Sequence, residues 1–265
     1  MKYNQVILVV FVIAVVFSIG FFAHQQKKII ISRVKDMPIQ TKTENSLNQD
    51  NKPQQKPQPV QTATTPAEIV WANKNTKQVV FTFDAGAGAQ SLDAILTILE
   101  KYNLKATFFL TGKWAEKNSE GTKKIATAGY EIFNHTYSHP YLTKISDEQI
   151  IDELTKTEVI INSLTGKIAK PYFRPPYGDR NQHARDVATS AGYQSVYWTI
   201  DAWDWRESEG VTAEQVKSRI LDNLKPGTIY LMHIGDNITG QILDDVFSQI
   251  LGQGYQINPL SIGVK

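Results

Sequence analysis

Between Lys77 and Gly252 the chain alternates short runs of β-branched and aromatic residues with stretches of helical apolar spacing, and few folds tolerate that alternation. Val79-Val80-Phe81-Thr82-Phe83 has the composition of a strand, and Ser91 can cap a helix carrying Ala94, Ile95, Ile98 and Leu99 on one face. The same reading predicts strands at 106–110, 132–133, 172–173, 195–200 and 228–232, and helices near 122–128, 181–191, 213–224 and 241–252. A longer helix starts at Ser146, with Asp147 and Glu148 in its first turn and Ile150, Leu154, Val159 and Leu164 among its apolar positions. Six or seven such units imply a parallel sheet, either closed into a barrel or open and doubly wound. Gly86-Ala87-Gly88 after the first strand lacks the lysine of a phosphate loop and the third glycine of a dinucleotide fingerprint. The reading therefore favours a barrel of six or seven parallel strands, with its site at the strand C-termini.

Composition narrows the chemistry. The 265 residues, 42% of them hydrophobic, suffice for one full α/β domain with something appended. There is no cysteine, which excludes a disulfide scaffold, thiolate-ligated zinc or iron–sulfur, a cysteine nucleophile and an acylated lipoprotein anchor. Any metal must be held by His, Asp or Glu. The net charge of +2 divides unevenly: residues 1–66 carry eight basic and three acidic side chains, the remainder 20 and 23. The main domain is thus slightly acidic and has no electrostatic footprint for nucleic acid.

From Tyr3 to Ala23 no residue is charged, and 21 helical residues span about 31 Å, the thickness of a bilayer core. Gly20-Phe21-Phe22-Ala23 places bulky rings where a signal peptidase needs small residues, so residues 1–28 read as an uncleaved, single-pass signal anchor. Lys27, Lys28, Arg33 and Lys35 outweigh Lys2, which by charge alone favours a cytoplasmic C-terminal side; the nature of the downstream domain must decide. Residues 29–66, rich in Gln, Pro, Asn and Thr beyond residue 36, read as a disordered linker with a reach of roughly 30 Å. Residues 67–265 form the main domain.

Polar residues fall where the predicted strands end: Asp84, His135 and His139, Arg174, Asp201 and Asp204, and His233. Each alone has a bland explanation as a cap or a surface ion pair. His135 and His139 are four apart, a spacing that can place two imidazoles on one side of a helical turn to share a metal. A zinc-protease motif would need Glu after the first histidine, and Thr136 stands there. His183 reads as a surface residue, Trp198 and Trp203 as packing, and Asp236 as a cap or loop residue; Asp201 is a structural hydrogen-bonding residue or a support for the site.

Taken in order, FTFDAGAG (81–88), NHTYSHP (134–140), FRPPYG (173–178), DAWDW (201–205) and LMH (231–233) closely resemble the polysaccharide deacetylases of carbohydrate esterase family 4, the NodB-homology domain. The resemblance covers roughly residues 75–256 and implies an irregular (β/α) barrel and a metal-dependent hydrolase that removes acetyl groups, mostly from N-acetylglucosamine in peptidoglycan or chitin. It implies Asp84 as catalytic base, His135 and His139 as ligands of a divalent metal, with zinc the expected ion, and Arg174 as the partner that orients Asp84. It further implies the Tyr177 backbone N–H as an oxyanion donor and His233 as general acid supported by Asp204. Trp205 and Leu231 would wall the pocket around the acetyl methyl. Family substrates lie outside the cytoplasm, so the resemblance places the domain on the extracellular or periplasmic side of the membrane, as a monomer acting on a polysaccharide.

One position departs from the pattern. The family's first motif carries a second aspartate that ligates the metal, and here that position is Ala85. Two imidazoles alone hold zinc less firmly, and Asp93, the nearest acidic residue downstream, is expected in the first turn of a helix. An active N-deacetylase with a weakened metal site is the leading expectation. A non-catalytic glycan-binding module and an O-deacetylase on an acetylated polysaccharide are the alternatives.

Overall fold

The computed structural model describes residues 65–265; the anchor and nearly all of the linker expected from the sequence lie outside them. Among the described residues no helix is long and apolar enough to cross a membrane.

The strands are β1 (Gln78–Ala85), β2 (Thr107–Leu110), β3 (Glu131–Asn134), β4 (Tyr172–Phe173), β5 (Gln194–Ser195), β6 (Ile200–Asp201), β7 (Ile229–His233) and β8 (Gln256–Ile257). The helices are α1 (Leu92–Lys101), α2 (Gly112–Lys117), α3 (Ser119–Thr127), α4 (Asp147–Thr165), α5 (Gln182–Ser190), α6 (Ala213–Asp222), α7 (Ile238–Gly252) and α8 (Leu260–Gly263). The sheet runs β5-β4-β3-β2-β1-β7-β6, with β8 added to β1, and every pairing is parallel.

The expected barrel is therefore only partly realised. The segment read as one strand over 195–200 is two short strands, β5 and β6, at opposite edges of the sheet, joined across the opening by four residues. Those edges do not pair with each other. The chain before β1 fills the seam instead: Ile69 N donates to Ser195 O, Tyr197 N to Ile69 O, and the Thr199 hydroxyl to Val70 O. The result is a strongly curved, incomplete barrel.

Central β1 is buried along its whole length, as a parallel strand covered on both faces must be. Alternation along it decides where the chemistry lies. Val79, Phe81, Phe83 and Ala85 belong to the apolar cluster that also holds Ile95, Leu99 and Phe247 of α1 and α7. Thr82 and Asp84 take the other face, toward the concave interior, as the Thr82 and Asp84 bonds to Arg174 require. Phe81 stacks on Tyr230 at 4.8 Å and meets Phe247 edge-on at 5.0 Å, a cluster whose truncation to Ala would cost about 3–5 kcal/mol.

The long helix α4 begins as expected, with a capping box between Ser146 and Gln149 and Gly166 in the left-handed conformation at its end. Its inward positions are Ile150, Leu154, Thr157 and Ile161; Val159, expected on the apolar face, is exposed. The short helix α2, capped by the Thr111 hydroxyl, was not legible in the sequence.

Candidate active site

A cavity of about 600 Å³ opens at the C-terminal ends of the strands, lined by Asp84, Gly86, Ala87, His135, His139, Tyr177, Trp205, Glu207, Ser208, His233, Gly235 and Asp236. The loops after β1 and β7 approach so closely that a Cβ on Gly235 would collide with the Ala87 carbonyl oxygen at 1.6 Å, so only glycine fits there.

Arg174, the residue after β4, is wholly buried beneath the cavity floor. Its Nη1 donates to Asp84 Oδ1 at 2.7 Å and to Thr82 Oγ1 at 2.8 Å, and its Nη2 donates to Tyr197 O at 3.0 Å. The guanidinium lies 4.2 Å over the Phe109 ring. These contacts fix the Asp84 carboxylate by one oxygen and leave Oδ2 facing the histidines, 3.4 Å from His135 Nε2.

The histidine pair does not ride on a helical turn. It spans a loop in which Thr136 (φ 65°) and His139 (φ 63°) are both left-handed, and the imidazoles still converge, Nε2 to Nε2 at 3.2 Å. The His135 Nδ1–H donates to Arg174 O at 2.8 Å, which leaves Nε2 as a bare lone pair. Burial lowers the His135 pKa against the pull of Asp84, and burial together with the neighbouring His135 lowers that of His139 to about 3. Two neutral imidazoles with Nε2 atoms a ligand–ligand spacing apart fit two positions of a divalent metal. No third protein ligand joins them: among the described residues no three His, Cys, Asp or Glu side chains converge as a metal-binding group. Ala85 is fully buried in the helix-facing apolar cluster, and Asp93 is exposed and paired with Lys124 at 2.8 Å.

On β7, His233 is the direct cross-strand neighbour of Asp84. Asp204 Oδ1 accepts from His233 Nδ1 at 3.0 Å and from Trp205 N at 3.0 Å. Asp204 Oδ2 accepts from His233 N and from the Thr239 hydroxyl, both at 2.6 Å. Burial opposes a charged His233, but Asp204, Asp84 and Asp201 outweigh it and raise its pKa to about 9. Asp236 caps α7 by accepting from Thr239 N at 2.7 Å; its burial and the nearby Asp204 push its carboxyl up to about 7.

Tyr177 (φ 57°) lies in the cavity wall within the Pro-Pro-Tyr-Gly turn, and Trp205 lines it with its indole N–H held 3.3 Å from both Asp201 oxygens. Leu231, expected in the pocket wall, lies elsewhere. It is buried on β7 two residues below His233 and is not in the cavity lining, because strand alternation brings it to the same face but one level deeper. His183 is an exposed partner of Asp147 at 2.7 Å, as expected of a surface residue.

Sequence reasoning missed Glu153 on α4. Its Oε2 accepts from Tyr137 N at 2.8 Å and Ser138 N at 2.6 Å, and its Oε1 accepts from the Ser138 hydroxyl at 2.6 Å. Gly112 N and Lys113 N at the start of α2 donate to Thr136 O and Tyr137 O, each at 3.0 Å. The histidine loop is thus gripped from two helices. An acid next to the inward stripe of Ile150, Leu154 and Thr157 was the available signal.

The model of the family "Polysaccharide deacetylase" matches residues 72–196. The peptidoglycan-N-acetylglucosamine deacetylase of Bacillus cereus is 38% identical over 184 residues, 68% of this chain and 66% of the relative, just under two thirds of that protein. The peptidoglycan-N-acetylmuramic acid deacetylase PdaA of Bacillus subtilis is 30% identical over 183 residues, covering 69% of this chain and 70% of that one. Among solved structures, a Bacillus anthracis protein described as a pseudoenzyme of carbohydrate esterase family 4 superposes with a TM-score of 0.71 at 32% identity, covering 76% of this chain and 69% of the other. A mutant of it is described as having restored enzymatic activity. The chain belongs to the polysaccharide deacetylase family, carbohydrate esterase family 4.

Proposed function

We propose that this protein hydrolyses N-acetyl groups on peptidoglycan, using a divalent metal held by His135 and His139. The observation that carries the reading is the pairing of a fixed base and a charged acid across one strand ladder, Asp84 on β1 beside His233 on β7. A glycan-binding wall needs neither.

A bound metal supplies a Lewis acid that polarises the acetyl carbonyl and acidifies an attacking water. Asp84, with Oδ1 committed to Arg174, takes the water's proton on Oδ2. As the C–N bond breaks, His233 delivers a proton from Nε2 to the leaving amine, since its Nδ1–H is committed to Asp204. The products are acetate and a free amine on the sugar. The Tyr177 N–H supplies a donor to the developing oxyanion and Trp205 a wall for the acetyl methyl. Peptidoglycan is favoured over chitin because the named enzymes among the relatives act on it. The expected anchor fits that choice, placing the domain outside the membrane with the linker spanning the gap to the wall; protease added to intact cells should then digest the domain, and protection of it would contradict that orientation.

A second reading is favoured by one observation. Ala85 removes a ligand, and the solved Bacillus anthracis relative is a pseudoenzyme; on that reading the chain binds glycan without turnover. Incubating the full-length chain with purified sacculi, in several divalent metals, separates the two. Acetate release supports the hydrolase, and sedimentation with sacculi without acetate supports the binder.

A further inference from the structure

We propose that Glu68, in the segment ahead of β1, is a positioning residue for deacetylation: through Arg180 it fixes the turn that carries the Tyr177 N–H. The role rests on the deacetylase reading above and brings into that site a residue outside its cavity.

The Glu68 side chain is only 9% exposed, and a residue 112 positions away grips it. Arg180 Nε donates to Oε1 at 2.9 Å and Nη2 to Oε2 at 3.0 Å, and the Ser195 hydroxyl donates to Oε1 at 2.8 Å. Arg185 Nη1 adds a positive charge 3.9 Å from Oε2. Burial works against the charged carboxylate, but these partners outweigh it and hold its pKa below the usual range. A covered pair of this kind adds little net stability, whereas the planar two-pronged contact admits few orientations. Closing the seam does not need it, since the backbone bonds of Ile69 and the Thr199 hydroxyl bond to Val70 O already do so.

The pair reaches the active site instead. Arg180 Nη1 donates to Gly178 O at 3.1 Å, so the guanidinium commits two nitrogens to Glu68 and the third to the turn. Tyr177, the preceding residue, has a left-handed φ of 57°, which a tyrosine holds only when its surroundings impose it. Gly178, at φ 66°, is packed so closely that a Cβ would come within 2.8 Å of both Tyr197 and Trp198. The Arg180 guanidinium lies 3.5 Å over the Tyr197 ring, and Tyr197 O accepts from Arg174 Nη2 at 3.0 Å. From the other side, Thr143 N and its hydroxyl donate to Asp179 at 2.8 and 2.9 Å. Glu68 thus acts through one guanidinium on the turn of the oxyanion donor and on the residue that helps seat Arg174.

Acetate release by the full-length chain in detergent, from soluble peptidoglycan fragments at saturating zinc, tests this through kcat and KM. A displaced oxyanion donor acts on the transition state and not on ground-state binding. Glu68→Gln should therefore lower kcat about tenfold, short of the roughly 10²–10³-fold loss when such a donor is removed outright, with KM and zinc affinity unchanged. Arg180→Gln should lose as much, and the double variant no more than either single one. Where Glu68→Gln does not fold, Arg180→Lys carries the same expectation, since it keeps the charge but not the three-way contact. A lowered thermal midpoint with wild-type kcat at 25 °C would mean that the pair only fastens the seam. Losses that multiply in the double variant would mean that Glu68 does not act through Arg180; either result overturns the positioning role alone. A wild type that releases no acetate overturns the deacetylase reading and the positioning role together.

Discussion

Asp84 and Arg174 meet beneath the cavity as a buried ion pair, Oδ1 to Nη1 at 2.7 Å, with the aspartate 4% exposed and the arginine not at all. A buried pair of this kind adds little net stability compared with apolar packing, but removing one partner strands the other charge. Arg174→Met should therefore destabilise the fold by about 3–5 kcal/mol, and denaturant unfolding should read that loss in the midpoint. Thr82→Val, which removes only one acceptor of Nη1, should cost far less, on the order of 1 kcal/mol.

The protonation of His233 sets an alkaline limit. With its pKa raised to about 9, His233 stays charged through neutral pH, so if it is the general acid, as proposed, turnover should decline as pH rises through about 9. Asp204→Asn removes the carboxylate that holds the charge and should move that limb to lower pH. A kcat profile from pH 6 to 10.5 tests both.

Stability should follow the same group. A folded-state pKa raised above the unfolded value near 6.5 contributes stability that is fully present below pH 6.5 and lost as pH rises through about 9. Asp236, raised to about 7, acts in the same direction at lower pH, its contribution fading from about 3.8 to 7. His139 acts oppositely: lowered to about 3, it contributes above pH 6.5 and loses that contribution as pH falls toward 3. Between pH 6.5 and 9.5 the thermal midpoint should fall, and His233→Gln should flatten that slope.

Glu153 governs the histidine loop from α4 without facing the cavity. Glu153→Gln retains one acceptor oxygen and loses the other, and it should weaken metal binding by about 10–100-fold, the scale seen when a ligand's support is removed. Equilibrium dialysis with zinc reads the affinity without reference to turnover. An unchanged affinity would mean that the two helices hold the loop without it.

Ala85 lies among apolar side chains on the helix-facing side of β1. Ala85→Asp should lower the thermal midpoint of the metal-free protein, because a carboxylate there is desolvated, and the midpoint should recover on adding zinc as the carboxylate turns to the ion. Wild type should lose metal readily to a chelator. A variant that is equally unstable with and without zinc would show that the carboxylate cannot reach it.

Most strands were legible because a covered parallel strand is largely apolar and β-branched, as Val79 to Phe83 is apart from Thr82; the two-residue β8 at Gln256–Ile257 carries no such run and was not. Asp84 and His233 were legible as cavity residues because each sits at the C-terminal end of a strand, whereas Arg174 and Asp204 act from fully buried positions beside it. The split of 195–200 into two edges was not, since nothing in Ser195 to Ile200 records that Ile69 and Val70 occupy the seam between them. The left-handed loop between His135 and His139 was hidden for a similar reason: it is gripped by Glu153, Gly112 and Lys113, none of them adjacent to it in sequence. Leu231 was misplaced by depth rather than by face, a distinction that alternation alone does not carry.

On the proposed mechanism Asp84 activates water for amide hydrolysis at this cavity. Acetate released from purified sacculi at saturating zinc, by wild type and by Asp84→Asn prepared alike, tests it most directly. Wild type should release acetate steadily and Asp84→Asn should lose about 10²–10⁴-fold, with the histidines still binding zinc. Equal release by the two proteins, or release by neither while Ala85→Asp is active, would contradict it.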